Sequence, residues 1–501
     1  MTQDASDPRR LADSPTGVPG LDVVLGGGFL SGGVYIVQGS PGAGKTILAN
    51  QICFYHASRG GRALYSTVLA ESHDRLLQHL ASLRFLDTRV IPESLRYVSA
   101  FRELEEQGLA GLINLLRREV LRQQVSLLVL DGWLAVSDGK PSDISLRKFV
   151  HELQVFAALQ GCVVLLLTGD ARRDHRPEYT MVDGLLVLDD VRHLGWRLRE
   201  LEVLKFRGKA FLRGRHAFRI TGEGVRVYPR LEALLPLTPE SDVPTSRLSI
   251  GIKHMDRMLH GGVPAASTTI VVGPSGSGKT TLALHFLSCA SEAEPGLMFG
   301  FFETPRVLIA NARALGLDLA GQVDAGHVEL IWHSPTEQIL DDIGNQLLDA
   351  ITRRNVKRLA VDGLDGLVEA AGPPDRVSRF FAAISNECRA RGVTMLLNAE
   401  SANFVGPTVT LPIEGISAIV DNLILMRFVE VRARLHRLIS VLKLRGSNFD
   451  RSLREFEITD HGIEVLEALS DTDIAENAPD IRIAASPANS PVRRRQNREP
   501  G

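Results

Sequence analysis

The chain has 501 residues, of which 44% are hydrophobic and 23% are charged. This is ordinary globular composition, and the length predicts about two to four domains. Lys and Arg number 57 against 59 Asp and Glu, for a formal net charge of −2, which argues against a basic nucleic-acid coat and an acidic solvating protein. The polar N-terminus carries no secretory pattern, and no apolar run approaches the roughly 20 residues that span a bilayer. We therefore expect a cytoplasmic protein that does not contact the membrane.

The first elements follow a polar tail, residues 1–13, which we expect to be disordered. From residue 14 to 235, apolar runs alternate with helical stretches, and the runs are VYIVQG, ALYSTVL, SLLVLDG, CVVLLLTG and DGLLVLDD. Strands that are apolar throughout indicate a sheet buried on both faces, and the alternation predicts an α/β domain with a mostly parallel sheet covered by helices. In the stretch LINLLRREVLRQQ, four apolar residues recur on one helical face, at Leu112, Leu115, Leu116 and Val120.

A phosphate-binding pattern, G-x-x-x-x-G-K-[ST], lies between the run VYIVQ and the helical stretch TILANQICFY. Glycines let the backbone fold around a phosphate. The lysine places a positive charge beside the β and γ oxygens, and the threonine hydroxyl reaches Mg²⁺. The predicted nucleotide-binding residues are Gly39, Ser40, Pro41, Gly42, Ala43, Gly44, Lys45 and Thr46.

Acidic residues that could complete this site end two later strands of the domain. Asp131, at the end of SLLVLDG, is placed to orient the magnesium shell. Glu71, in TVLAESHDRLL, could orient or deprotonate the phosphoryl acceptor, although helix capping is an alternative. The polar end of a further strand, Thr168-Gly-Asp170, either senses the γ-phosphate or simply begins a loop. Beyond it, LRELEVLKFRG and HAFRITGEGVRVYPR predict antiparallel strands at one edge.

A linker rich in Pro, Ser and Thr, residues 236–246, precedes a second copy of the same pattern. Thr16 aligns with Ile250 at an offset of 234 residues, which predicts a duplicated domain over residues 247–470. Its predicted nucleotide-binding residues are Gly273, Pro274, Ser275, Gly276, Ser277, Gly278, Lys279 and Thr280. Asp362 corresponds to Asp131, Glu303 to Glu71, and Asn398-Ala-Glu400 to the polar end Thr168-Gly-Asp170. Residues 471–501 have few large apolar side chains and are expected to form a disordered tail.

These residues together resemble the KaiC family of RecA-like P-loop ATPases over about residues 14–470. The resemblance is carried by TGVPGLDVVLGGG, by the tandem phosphate loops, and by LKLRGSNFDRSLREFEITDHGI. It implies ATP and Mg²⁺ at the subunit interfaces of a six-membered double ring. It also implies that a K-x-R segment reaches the neighbour's γ-phosphate, a role that an arginine supplied in trans suits chemically. The matching residues here are Lys205 and Arg207 in the first copy and Lys443 and Arg445 in the second.

Two departures from the family pattern bear on activity. The family usually has two adjacent glutamates after the second strand, whereas Ala70 and Phe302 stand at the first of these positions and only Glu71 and Glu303 are kept. The family's clock member also phosphorylates adjacent Ser and Thr. Ser417 matches the serine and is a candidate phosphosite, but Ala418 replaces the threonine, which excludes an unchanged two-site autophosphorylation.

Three functions are compatible with these patterns. The first is a KaiC-like ATPase ring that acts as a signalling or timing switch, with single-site Ser autophosphorylation as an added activity and the C-terminal tail as a candidate docking segment for regulatory proteins. The second is an ATP-gated scaffold with little catalysis, based on Ala70 and Phe302. The third is a RecA-like ATPase acting on nucleic acid. The near-neutral charge weighs against this third function, although basic residues lie in the tail at Arg493, Arg494, Arg495 and Arg498.

Overall fold

The structure is a computed structural model, and the chain divides into two compact units, residues 1–234 (unit 1) and 235–501 (unit 2). It describes residues 12–68, 73–132, 143–169, 177–193, 196–235, 245–334, 338–370, 374–401, 408–411, 415–431, 434–468 and 482–485. Most of the predicted linker and most of both predicted tails lie outside these ranges.

Unit 1 contains eleven strands within its described residues. They are β1 (Asp13–Ser14), β2 (Phe29–Leu30), β3 (Val34–Gly39), β4 (Ala63–Thr67), β5 (Leu95–Ser99), β6 (Leu127–Asp131), β7 (Val163–Thr168), β8 (Gly184–His193), β9 (Trp196–Phe206), β10 (Arg215–Thr221) and β11 (Gly224–Tyr228). The α-helices are α1 (Leu21–Val24), α2 (Lys45–Ser58), α3 (His73–Leu80), α4 (Phe101–Gln123), α5 (Asp143–Gln160), α6 (Pro177–Met181) and α7 (Leu231–Leu234).

Nine of these strands form one sheet in the order β11-β10-β9-β8-β3-β7-β6-β4-β5. The pairs from β8 to β5 are parallel, and β8 to β11 are antiparallel. The five apolar runs taken as strands and the antiparallel edge are confirmed. Strand β5 was not predicted, because its half-buried residues form no apolar run.

Helices cover both faces of this sheet, as the uniformly apolar strands predicted. Along β3, Tyr35 and Val37 belong to one buried cluster, whereas Val34 and Ile36 belong to another. This alternation is expected of a strand with core on either side. The four apolar residues recurring at helical spacing in α4 are all buried.

Unit 2 repeats this architecture. Its strands are β12 (Arg247–Leu248), β13 (Val263–Pro264), β14 (Thr268–Gly273), β15 (Gly296–Gly300), β16 (Val328–Trp332), β17 (Arg358–Asp362), β18 (Thr394–Glu400), β19 (Thr408–Leu411), β20 (Asn422–Val431), β21 (Arg434–Leu444), β22 (Arg454–Thr459), β23 (Gly462–Ala468) and β24 (Arg482–Ala485). Its α-helices are α8 (Lys253–Met258), α9 (Lys279–Ser288), α10 (Pro305–Ala314), α11 (Leu319–Asp324), α12 (Leu340–Arg354), α13 (Leu364–Ala370), α14 (Pro374–Ala390) and α15 (Ile416–Ile419).

The second nine-stranded sheet has the order β16-β15-β17-β18-β14-β20-β21-β22-β23. Each position matches one of the first sheet, so the duplication inferred from the sequence holds at the level of strand order, and the predicted fold class is confirmed. One departure falls in the segment expected to be a disordered tail, where β24 pairs in parallel with β19.

Candidate functional site

Each phosphate loop leaves the carboxyl end of the central strand of its sheet, β3 or β14, and runs into a helix, α2 or α9. The first glycine of each pattern has a packing reason. A Cβ at Gly39 would lie 2.5 Å from the Leu188 carbonyl oxygen, and one at Gly273 would lie 2.5 Å from that of Met426. Glycine is therefore required where the neighbouring strand approaches the loop.

The loops leave open space and free helix termini for an anion. Gly42 and Gly276 have φ values of 82° and 76°, and a Cβ at either position would meet nothing within 4 Å. Helices α2 and α9 begin after Gly44 and Gly278, and neither start has a side-chain cap. The uncapped N–H groups of a helix start, with the helix dipole, bind phosphate. The loop geometry thus fits a nucleotide polyphosphate.

The two loop lysines lie over their own loops. The Lys45 Nζ donates hydrogen bonds to the carbonyl oxygens of Gly39 at 2.7 Å and Ser40 at 3.0 Å. The Lys279 Nζ does the same to Gly273 at 2.8 Å and Pro274 at 2.9 Å. Burial lowers the pKa of both lysines, while nearby carboxylates oppose the shift. Each ammonium is therefore held over its loop, beside the place where a bound phosphate would lie.

Each loop threonine pairs with the predicted aspartate at the end of a neighbouring strand. The Thr46 hydroxyl donates to Asp131 Oδ2 at 3.2 Å, and the Thr280 hydroxyl to Asp362 Oδ2 at 3.0 Å. A hydroxyl and a carboxylate are hard oxygen ligands, and Mg²⁺ in phosphate sites takes one or two carboxylates plus substrate phosphates rather than an all-protein cage. The donor set therefore fits Mg²⁺.

The aspartates are oriented differently in the two units. In unit 1 the Tyr65 hydroxyl donates to Asp131 Oδ2 at 2.6 Å. Burial, and then the charge of Asp131, raise the pKa of Tyr65. In unit 2 the Asn398 amide donates to Asp362 Oδ1 at 2.9 Å. Tyr65 was not predicted as a site residue, because Ser66 and Thr67 in the same run ALYSTVL also carry hydroxyls and the pattern does not set Tyr65 apart.

The second phosphate loop opens into a cavity of about 550 Å³. Four carboxylates line it together with Lys279, and they belong to Glu303, Asp362, Asp365 and Glu400. The Asn311 amide donates to Glu303 Oε2 at 3.1 Å. Burial, followed by the charge of Asp362, raises the pKa of Glu303, and the Asn311 bond opposes this shift. In unit 1, the corresponding Glu71 and the adjacent Ala70 lie outside the described residues, as does Asp170.

Phe302, at one of the two departures from the family pattern, is 58% exposed and lines the same cavity. Its ring covers the turn after β17, since a Cβ at Gly363 would lie 2.6 Å from the ring, and one at Gly366 would lie 3.4 Å from it. The second site therefore has an aromatic ring next to Glu303, at the position where the resemblance to the family predicts a second glutamate.

The K-x-R residues lie at the opposite end of each sheet from that unit's own phosphate loop. In unit 1, Lys205 pairs with Leu185 near the amino end of β8, whereas Gly39 pairs with Leu188 before the loop begins. Lys205 Nζ donates to the Tyr179 and Thr180 carbonyls at 3.1 and 2.8 Å, and Arg207 donates to the Thr180 and Met181 carbonyls. The structure thus does not bring these cations to the phosphate loop of their own unit.

The arrangement in unit 2 is the same and includes the candidate phosphosite. Lys443 Nζ donates to the carbonyls of Ser417 at 2.7 Å and Val420 at 2.6 Å, and Arg445 lies 3.4 Å from Asp421 Oδ1. Ser417 is exposed on α15, just before β20, whose start pairs with the start of β14. Ser417 and Lys279 are therefore at opposite ends of the same strand.

A duplicated, mostly parallel sheet with a phosphate loop, a loop lysine and a threonine–aspartate pair at the carboxyl end defines a RecA-like P-loop ATPase. A family model described as "ATPase: KaiC" matches residues 14–232 and 248–470. The chain belongs to the KaiC ATPase family, and the resemblance inferred from the sequence is confirmed.

Curated relatives match nearly the whole chain. The circadian clock oscillator protein KaiC of Prochlorococcus marinus (strain MIT 9313) is 26% identical over 470 residues, covering 91% of this chain and 93% of its own length. KaiC 1 of Synechocystis and KaiC of Nostoc are each 27% identical, each covering 90% of this chain and 88% of their own length. In the part of the chain that the structure describes, every helix is too short or too polar to cross a bilayer.

Proposed function

We propose that the chain is an ATP-hydrolysing switch that works as a homo-oligomeric ring, with six subunits and Mg²⁺–ATP at both phosphate loops. The observation that carries the ring is the placement of the K-x-R cations at the far end of each sheet from that unit's own loop. A head-to-tail interface would bring them to a neighbour's loop, and such an interface closes into a ring when the rotation permits.

Within each site, this chain's residues have distinct tasks. The loop N–H groups and Lys45 or Lys279 bind the phosphates, and Thr46 with Asp131, or Thr280 with Asp362, hold the metal. Bound Mg²⁺ neutralises charge on the β and γ oxygens. Glu303 orients the phosphoryl acceptor in the second site, and Glu71 is assigned the same task in the first.

A timing or signalling role rests on the relatives, which are named circadian clock oscillator proteins. Autophosphorylation is confined to Ser417, and its position at the opposite end of β14 from Lys279 favours transfer from a neighbouring subunit. Incubation with radiolabelled ATP should place covalent phosphate on the wild type and none on Ser417→Ala. Equal labelling of both proteins would exclude this site.

The experiment for the ATPase ring compares the wild type with the double variant Lys45→Ala, Lys279→Ala. Losing both lysines removes the positive charge that stabilises the transferring phosphoryl group, so turnover should fall by roughly 10³-fold or more. Light scattering in ATP should give about six times the 54.7 kDa subunit mass for the wild type. Unchanged turnover in the double variant would refute the ATPase assignment, and a monomer in ATP would refute the ring.

Phe302 supports a second candidate, an ATP-gated scaffold with little catalysis, because an aromatic ring occupies a place beside Glu303 where a base would be useful. Substituting Ala70→Glu together with Phe302→Glu separates the two functions. A large gain in turnover favours the scaffold, and no gain favours a wild type that is already active.

A further inference from the structure

The second site contains a carboxylate that neither the repeat nor the phosphate-binding pattern indicates. Asp365 lies in the first turn of α13, three residues after Asp362 in sequence, and lines the cavity with Lys279 and Glu303. The matching position in the first copy is Leu134, so this carboxylate is peculiar to the second copy.

Asp365 is held by a hydrogen bond from β18, the strand that pairs with β14 beside the phosphate loop. Its Oδ2 accepts the backbone N–H of Glu400 at 3.2 Å, and Glu400 pairs in register with Gly273, the first residue of the loop. The carboxylate is half-buried, and burial together with the charge of Glu400 raises its pKa, while Lys279 lowers it. Asp365 is therefore fixed within electrostatic range of the lysine that binds the β and γ oxygens.

The other carboxylates of the cavity have partners that define their tasks. Asp362 accepts bonds from Thr280 and Asn398, and Glu400 has the largest electrostatic effect of any carboxylate on the Lys279 charge. Glu303 and Asp365 line the same cavity and are held from other directions, Glu303 by the Asn311 amide and Asp365 by the backbone N–H of Glu400.

The ring of Phe302 lies on the turn that carries Asp365. It packs against Gly363 and Gly366, which flank Leu364 and Asp365 in sequence. The Asp365 carboxylate, on α13, thus lines the cavity next to Phe302, whose side chain has no carboxylate.

We propose that Asp365 is the second acceptor-orienting carboxylate of this site, acting with Glu303. The inference rests on the proposed function, that the second site transfers the γ-phosphoryl group of ATP. An acceptor O–H loses its proton to a carboxylate while its oxygen bonds to the γ-phosphorus, and the bond to the β-phosphate oxygen breaks, with ADP leaving with the electron pair.

The experiment uses the full chain with Lys45→Ala, so that turnover reports the second site alone. In this background Asp365→Asn should lower kcat by at least about 10-fold. The affinity for a non-hydrolysable ATP analogue, measured by titration, should stay within about 3-fold or become tighter, because a negative charge beside the phosphates has been removed. A purely structural role would instead weaken binding and turnover together, with a lower melting temperature. Adding Phe302→Glu to Asp365→Asn should restore part of kcat.

A matched control is Asp342→Asn, which also removes a first-turn helix carboxylate, on α12, but outside the cavity lining. Its kcat should equal that of the parent. An unchanged kcat in Asp365→Asn, or a parallel fall in kcat and analogue affinity, would overturn the role of Asp365 while leaving the proposed function in place. A Lys45→Ala parent with no turnover sensitive to Lys279→Ala would overturn both.

Discussion

At the scale of single residues, the protonation of Glu303 should set the acid limit of the second site. Its pKa is raised above the ordinary glutamate value by burial and by Asp362. A base acts only when deprotonated, so a raised pKa moves the loss of activity to higher pH. With Lys45→Ala, turnover should fall on acidification at a pH above that expected for an exposed glutamate.

Asn311 provides the means to test this residue without removing it. Its amide donates to Glu303 and opposes the rise in pKa, so Asn311→Leu, a change of similar volume, should move the acid limb of the kcat profile to still higher pH. Glu303→Gln should remove most of the turnover, and an acid limb that remains in this variant would belong to Asp365, whose pKa burial also raises. A profile that Asn311→Leu leaves in place would mean that another group sets the limb.

Site residues could be predicted from the sequence where nearby residues determine their positions, and could not where contacts between distant segments determine them. The phosphate loops, Asp131 and Asp362 could be identified because local spacing and the end of an apolar strand constrain them. Tyr65 and Asp365 could not, because their roles depend on which strands and turns become neighbours in the sheet. Sequence patterns likewise indicated the strands buried on both faces but missed β5, a half-buried edge strand.

At the scale of elements, the helix after each phosphate loop is fastened to the last strand of its sheet by corresponding residues with different chemistry. In unit 1, Gln51 on α2 accepts the Val225 N–H at 2.6 Å and donates to the Val225 carbonyl at 3.1 Å. In unit 2, His285 on α9 accepts the Ile463 N–H at its Nε2, 2.9 Å away. The second contact requires an unprotonated imidazole nitrogen.

This difference should make unit 2 sensitive to acid. Burial lowers the pKa of His285 below 6.5, so the unfolded chain binds the proton more readily than the folded one. The stability that the neutral His285 contact contributes is complete above the pKa of the histidine in the unfolded chain. It is lost as the pH falls below that pKa toward the lower pKa of the folded protein. His285→Gln should copy the contact of unit 1, and hydrogen exchange between pH 7.5 and 5 should show less acid loosening of β23 than in the wild type.

The reciprocal substitution is the control. Gln51→His should introduce acid sensitivity at β11 of unit 1, with a loss of about 1 kcal/mol for the hydrogen bond at low pH. If His285→Gln exchanges with the same pH dependence as the wild type, the contact does not sense protonation. Other histidines whose pKa burial lowers, at His56, His73 and His333, contribute equally to both proteins and cancel in this comparison.

At the scale of the whole molecule, the proposed ring would build each complete second site from two subunits, because Lys443 and Arg445 lie away from the phosphate loop of their own unit. The cations project at one end of the unit 2 sheet, while the phosphate loop and Glu303 lie at the other. An arginine supplied in trans is typically worth roughly 10³- to 10⁵-fold in phosphoryl transfer. Arg445→Ala alone should therefore nearly abolish second-site turnover in the Lys45→Ala background.

Mixing two inactive proteins tests this directly. In that background, Lys279→Ala lacks the loop charge and Arg445→Ala lacks the trans cation, so each homogeneous ring should be inactive. After subunit exchange at equal concentrations, about one interface in four pairs an intact loop with an intact arginine, and about a quarter of the parental turnover should return. A mixture of Arg445→Ala with the double variant Lys279→Ala, Arg445→Ala contains no intact arginine and should stay inactive. Failure to recover turnover in the first mixture, once exchange is shown by mass, would mean that each subunit completes its own site and that the ring is not needed for catalysis.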